Sequence, residues 1–316
     1  MSSLFNLRMI RYKLISPVLQ KLDKIQDEIE KNRMLIVQSR IREFCKIGKL
    51  PILADSEFKV FSQWGEDGII QYLISKVQIT NKVFVEFGVE DYLESNTRFL
   101  LMNNNWSGLI IEANGDAISK IRSSKLYRLY NLQTACAFIK KNNINSLISG
   151  AGINGDIGIL SIDIDGNDYW IWEAISEDVI CPRIVIIEYN SIFGKEHPIT
   201  IPYDDNIVRV KAHDSNLFYG ASIKALCTLA YKKGYVFVGS NSAGNNAFFV
   251  RKDMSSKLLE VDCETGYIES KFRESLDKSG KLSYISGKNR IKVIENEVVF
   301  DTEREELFRI KELGTR

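Results

Sequence analysis

The sequence predicts an α/β fold. A mostly parallel sheet carries helices on both faces, an antiparallel hairpin closes one edge, and an amphipathic helix precedes it all. Three observations predict this. First, short continuous apolar runs such as VFVEF (83–87), LIIE (109–112) and IVIIE (184–188) recur between helical stretches, the pattern of strands buried on both faces. Second, the alternation ends after residue 190, and the chain resumes as helix, strand, glycine turn and strand over 220–253, which puts an antiparallel pair on the edge of the sheet. Third, apolar residues near the N-terminus recur at spacings of three and four, which is a helical period.

In chain order, Ile15, Val18, Leu22, Ile25, Ile29, Asn32 and Ile36 form an a/d seam with one polar position. Such a seam suits either a coiled coil that makes the chain a homo-oligomer or a helix lying on its own domain. Pro17 fits the first turn of that helix. Residues 1–48 are therefore a helical segment, and 49–253 the α/β domain. Within the latter, Ile69, Ile70, Leu73, Ile74 and Val77 mark one face of a first helix. Strands follow at 82–88, 107–114, 133–140, 156–165 and 182–190, with helices at 95–104, 115–124 and 168–176. A helix over 220–234 ends at Gly234, a good C-cap, and a hairpin spans 235–253. Residues 254–316 form an extension in which 281–286 and 290–301 read as short strands and 302–313 as a final helix; no function follows from it.

Composition narrows the function. The 316 residues are 45% hydrophobic and 26% charged, those of an ordinary globular protein, and the net charge of +1 gives no pull toward nucleic acid. Five scattered cysteines without CxxC spacing argue against a disulfide framework and a structural zinc, and suit a reducing cytoplasm. Two histidines, His197 and His213, are too few for a histidine-rich metal site. No apolar run approaches the ~18 residues of a membrane span.

Several residues carry chemistry. Gly88 ends a buried strand where a side chain would obstruct a nucleotide at the carboxyl edge of the sheet. Glu86 before it either binds a ligand ammonium indirectly or fixes the loop. Glu112, ending the second strand, suits ribose hydroxyls, or else caps the next helix. Ser95 and Asn96 read as helix caps that can also touch ligand. Gln63, Glu66 and Asp67 either fold over a ligand or start a helix whose dipole favours acids. Asp163, Asp165 and Asp168 crowd one strand end. They are no EF-hand, because position twelve counted from Asp163 is Ala174, but Asp163-Ile-Asp165 reads as the DxD of a metal-dependent glycosyltransferase. Trp170 and Trp172 point to different helix faces, so one of them can stand at a pocket mouth. The insertion 191–222, after the fifth strand, overhangs the site and is the candidate for acceptor recognition. His197 there reads as an exposed bystander.

VFVEFGVEDYLESNT (83–97) resembles the first nucleotide-binding motif of class I S-adenosylmethionine-dependent methyltransferases. LIIEAN (109–114) and LSIDID (160–165) resemble the acidic ends of that family's second and fourth strands. More narrowly, FSQWGEDGII (61–70), SIDIDGNDYWIW (161–172), FYGAS (218–222) and GNNAFFV (244–250) look like FkbM-like methyltransferases of polysaccharide and secondary-metabolite biosynthesis. The resemblance covers 57–253. The first motif departs from the family in having Tyr92 and Ser95 where further glycines stand, and Asp165 stands where many FkbM-like proteins have glutamate. The resemblance implies a Rossmann-like seven-stranded methyltransferase sheet and a cytoplasmic O-methyltransferase. Its acceptor would be the hydroxyl of a sugar, polysaccharide or secondary-metabolite precursor. S-adenosylmethionine would be held by Gln63, Glu86, Gly88, Asn96, Glu112 and Asp163. Asp165, Glu188 and Asn190 would hold magnesium or manganese if a metal takes part, and Asp168 or His213 would take the proton. The competing readings are the glycosyltransferase and a non-catalytic scaffold.

Overall fold

A computed structural model describes the backbone of residues 2–315 and the side chains of 16–22 and 24–315. The chain divides into two units, 1–43 and 44–316. The first is one continuous helix, α1 (Ser2–Phe44), whose last residue opens the second unit. Pro17 lies inside α1, not in its first turn, because the helix begins fifteen residues earlier. Ile15 of the seam lies outside the residues whose side chains are described.

The second unit is built on a sheet of β1 (Val83–Phe87), β2 (Ser107–Glu112), β3 (Leu132–Cys136), β4 (Gly155–Ile162), β5 (Ile180–Glu188), β7 (Tyr235–Ser240) and β8 (Asn246–Arg251). Between β5 and β7 comes the two-residue β6 (Ile199–Thr200), and near the C-terminus β9 (Val298–Asp301) and β10 (Glu306–Arg309). The large sheet runs β3-β2-β1-β4-β5-β8-β7. Its first five strands are parallel, and β8 is antiparallel to both β5 and β7. This is the expected Rossmann-like sheet with its terminal hairpin.

Adjacent residues along each strand enter opposite cores, as the two-residue period of a strand requires. Val85, Leu109, Val185 and Ile187 join one core, and Phe84, Ile110, Ile184 and Ile186 the other. On the first side lie α6 (Ile144–Gly150), α7 (Asp168–Ala174) and α9 (Ile223–Lys232). On the second lie α2 (Glu66–Lys76), α3 (Arg98–Asn103) and α4 (Gly115–Ser123), with the short α5 (Lys125–Leu129) at their edge.

The insertion and the C-terminal extension fold together. β6 pairs with β9 and β9 with β10, all antiparallel. Beneath them Phe193, Ile199, Leu217 and Phe218 of the insertion pack with Ile294, Val299, Phe308 and Ile310 of the tail. The insertion also holds α8 (Arg209–Ala212), and the tail α10 (Asn289–Val293). The tail differs from its sequence reading. Residues 289–293 are helical, and the expected helix over 302–313 is β10 followed by a 3-10 turn. Phe308, which faces Val299 across the ladder, turns inward while Leu307 is exposed, so a non-local pairing overrides a weak helical pattern. At 281–286 no strand forms; Leu282 makes one isolated bridge to Leu276.

The ends of β1 and β4 come very close at Gly88. A Cβ placed there would lie 1.6 Å from the Asp163 carbonyl oxygen, and its φ is +69°. The glycine is thus required by the neighbouring strand as well as by any ligand. Gly88→Ala is expected to lose about 3 kcal/mol of stability, since both the clash and the left-handed backbone penalise a side chain. Urea denaturation measures it, and a loss below about 0.5 kcal/mol, the level of a neutral surface change, would contradict the close approach.

Candidate functional site

The strand order reverses between β1 and β4, where neighbouring connections leave to opposite sides. Open α/β sheets bind ligands at that crevice, beyond the carboxyl ends of the strands. Here it holds a cleft of about 1040 Å³, reached by Gly88 after β1, Glu112 of β2, Asp163 after β4 and Glu188 of β5. Among the described residues, ten aspartates and glutamates line it against three lysines and arginines. In a chain of net charge +1 this is a strong local concentration of negative charge.

Most of the acids at this end of the sheet have structural partners. Asp67 Oδ2 accepts the N–H groups of Val60, Phe61 and Ser62 at 2.7, 2.7 and 2.9 Å, and Ser62 Oγ accepts the Asp67 N–H. Glu66 accepts from the backbone of Trp64 and Gly65 and from the side chains of Asn241 and Asn246. It thereby ties the start of α2 to the β7–β8 hairpin. Glu86 accepts from Ser95 Oγ, the N–H groups of Asn96 and Thr97, and the Thr97 hydroxyl. It fixes the turn into α3, the second of its two expected roles. Glu112 receives Glu90 N–H at 2.9 Å and Asn114 N–H at 2.8 Å, joining the β1 and β2 loops. Asn114, not Glu112, caps α4. In the β1 loop Tyr92, one of the two residues standing where further glycines were expected, is left-handed (φ 62°), as is Glu90 (φ 48°), whereas Ser95 is not.

Three acids stand apart. Oxygens of Asp163, Asp165 and Glu188 all lie within 4.8 Å of one another. Glu188 is 6% exposed, and its Oε2 has no hydrogen-bond partner among the described residues. Burial pushes the Glu188 carboxyl well above the usual range, and repulsion from Asp163 adds to it. Asp163 is raised for the same two reasons, desolvation first and then the charges of Asp165 and Asp168. Each such carboxyl makes ionisation of the other harder unless a cation lies between them. Asp165 has φ 55°, a strained geometry that aspartate tolerates and that clusters at working sites. Its partner is Arg209 of α8, whose Nη1 lies 2.7 Å away. The same guanidinium pairs with Glu274 and stacks 3.5 Å from the Tyr219 ring centroid. Two more buried side-chain oxygens of cleft-wall residues lack a partner among the described residues, Asn167 Oδ1 and Asn246 Oδ1. Their amide nitrogens donate to Asp204 O and Glu66 Oε1, which fixes the orientation of each amide.

The structure therefore brings Gln63, Glu86, Gly88, Asn96, Glu112, Asp163, Asp165 and Glu188 to one cleft. Asp168, His213 and Asn190 do not line it. Asp168 is fully buried and accepts the N–H groups of Ile164 and Gly166, both at 2.9 Å. His213 turns its Nδ1 to Ser215, 2.8 Å away. Asn190 donates its amide N–H groups to Leu217 O and Tyr219 O and accepts Ile192 N–H on its oxygen, whereas Asp163 lies beside Asp165 and Glu188. Trp170 and Trp172 are core residues. Trp170 donates to Ile201 O, and Trp172 packs on Tyr235 and Phe249. The aromatic side chains on the cleft wall include Trp64 and Phe272, stacked at 5.6 Å and 18°. Trp64 lay in a quoted motif, whereas Phe272, Arg273 and Glu274 come from the tail and carried no sequence signal.

No family model matches the chain, and no curated protein does. Solved structures do. An S-adenosylmethionine-dependent methyltransferase from Clostridium acetobutylicum is 9% identical, with 58% of this chain and 89% of that one covered and a TM-score of 0.38. An O-methyltransferase from Bacillus cereus, in complex with SAH, is 12% identical, with 67% and 89% covered and a TM-score of 0.36. At such values the fold assignment rests on the strand order and register above.

Burial holds the Asp168 carboxyl up at about 6 against an ordinary 3.8. The folded chain thus binds more protons than the unfolded one between these values. The associated stability is complete below about pH 4 and is lost as pH rises through about 6. Asp168→Asn should flatten the slope of unfolding free energy over that window by up to about 1.4 kcal/mol per pH unit. Urea titrations at stepped pH measure this; an unchanged slope would show that Asp168 titrates normally.

Proposed function

We propose that the protein is an S-adenosylmethionine-dependent O-methyltransferase acting on a sugar or polysaccharide-precursor hydroxyl. The observation that carries the reading is the unmet acceptor set: Glu188 Oε2, Asn167 Oδ1 and Asn246 Oδ1 stand buried without partners on an acid-lined cleft. A buried acceptor without a partner costs about 1–3 kcal/mol, so the cleft is built for a ligand rich in donors and positive charge. S-adenosylmethionine has both, in its ammonium, its ribose hydroxyls and its sulfonium, and supplies the electrophilic methyl group. A nucleoside diphosphate brings the opposite charge, which disfavours the glycosyltransferase reading of Asp163-Ile-Asp165. The unmet acceptors likewise disfavour a scaffold.

Glu112, with one N–H on each oxygen, keeps lone pairs on both for the ribose 2′- and 3′-hydroxyls. Gly88, Asn96 in the turn held by Glu86, and Gln63 complete the wall. Trp64 and Phe272 offer apolar faces to a sugar ring, and Asp165 and Glu274 offer acceptors to its hydroxyls. The Glu188–Asp163 pair, with its raised affinity for a proton, is the group that takes the acceptor's proton. Arg209 holds Asp165 in place across the site. Asp163, Asp165 and Glu188 also suit magnesium or manganese, hard cations that take oxygen ligands. When bound, such an ion lowers the pKa of a hydroxyl on it.

Calorimetry with S-adenosylhomocysteine tests the reading, and absence of binding by the wild-type chain would overturn it. Glu112→Ala should weaken that binding about 10- to 100-fold, the loss of hydrogen bonds to a charged acceptor; an unchanged affinity would remove Glu112 from the ribose site. For the metal, magnesium should raise the melting temperature of the wild-type chain and leave Glu188→Gln unmoved. Equal responses would take the ion out of the reading.

A further inference from the structure

Beside the main cleft lies a second, smaller cavity of about 290 Å³, formed entirely by the tail between residues 269 and 290. Its character is opposite. Lys271, Arg273 and Arg290 line it, with Glu269 as the only acid among its described residues. Glu269 is engaged, accepting Arg290 Nη2 at 2.8 Å. Arg290 is 5% exposed, and its Nη1 donates to Ser270 Oγ at 2.7 Å. That leaves its Nε buried with no partner among the described residues. A buried guanidinium N–H without an acceptor is as costly as an orphaned oxygen and calls for an anion. Ser270, Ser286 and Gly287 complete the wall. Phe272 and Arg273 line both cavities, so the two adjoin along the tail.

We propose that this cavity is an oxyanion subsite that recognises a phosphoryl or carboxylate group carried by the acceptor. The anion takes the Arg290 Nε–H as a charge-assisted hydrogen bond, with Lys271 and Arg273 supplying the surrounding positive charge. The division of labour follows from charge. The acid-lined cleft repels an anion, so an acceptor bearing one must place it outside, in the basic cavity past Phe272. The subsite's existence is independent of the methyl-transfer reading; only its assignment to the acceptor rests on it.

The test uses the full chain and inorganic phosphate, titrated calorimetrically with and without S-adenosylhomocysteine. Phosphate should bind in both cases, more weakly at high ionic strength. Lys271→Gln should weaken it about fivefold and Arg290→Lys, which keeps a charge but loses the fork, by at least that. Melting temperatures near wild type show that each variant is folded. No phosphate binding by the wild-type chain, or binding that neither variant changes, would overturn the subsite. Phosphate binding without S-adenosylhomocysteine binding would overturn methyl transfer and leave the subsite standing. Glucose, glucose 1-phosphate and glucuronate then distinguish the sources. Tighter binding of the phosphate ester or of the acid than of glucose supports phosphoryl or carboxylate recognition respectively; equal affinities for all three would overturn the assignment to the acceptor.

Discussion

The loops at the carboxyl end of the sheet are held by carboxylates that capture backbone N–H groups, and the site depends on that arrangement. The donors of these turns lie outside the regular ladders of helix and strand, so they need other acceptors. Glu66, Asp67, Glu86, Glu112 and Asp168 supply them, each taking two or three N–H groups of a neighbouring turn. Hydrogen bonds to a charged partner contribute about 1.5–3 kcal/mol each, enough to hold turns that contain left-handed Glu90, Tyr92 and Asp165. Desolvation works against the ionised acids, and Asp67 and Asp168 both sit near pKa 6 in consequence. The arrangement also separates acids that build the site from acids that remain available in it. Among the described residues, none gives Asp163 or Glu188 a backbone N–H, and Glu188 Oε2 receives nothing.

That distinction explains what the sequence could convey. β1, β2, β4, β5 and the hairpin were legible because each is a short apolar run bounded by turn residues, and burial on both faces leaves no alternation to misread. The edge strand β3, LQTAC, is largely outside the core and carries a weaker signal. Glu86, Glu112 and Asp163 were legible as acids at strand ends. Which of them a turn would engage was not, because that depends on where the N–H groups of a folded loop point. Asp168 reads like its neighbours in the sequence, yet two N–H groups tie it inside the loop. Gly88 was singled out for a ligand's approach, whereas the Asp163 carbonyl already demands it.

The tail was illegible for another reason. Its strands exist through pairing with β6 in the insertion, and its contribution to the cleft exists because Phe272 meets Trp64 from a distant part of the chain. Neither is a local property. Glu306-Leu307-Phe308-Arg309 carries helix and strand signals alike, and only Val299 opposite Phe308 decides between them.

Charge then organises the two cavities. Arg209 is the cation that Asp165 and Glu274 share, and it reaches them from the insertion. It thereby couples the end of β4, the insertion and the tail in one ion-paired contact, largely buried on the arginine side. Removing Arg209 would leave Asp165 and Glu274 facing each other beside an already crowded acid pair, so its loss would act on the shape of the cleft as well as on its potential. Past Phe272 the sign reverses at Arg273 and Arg290. A ligand crossing that boundary must carry positive charge or hydrogen-bond donors at one end and negative charge at the other. The residues between the two ends, Phe272 and Arg273, therefore define how far apart those groups can stand.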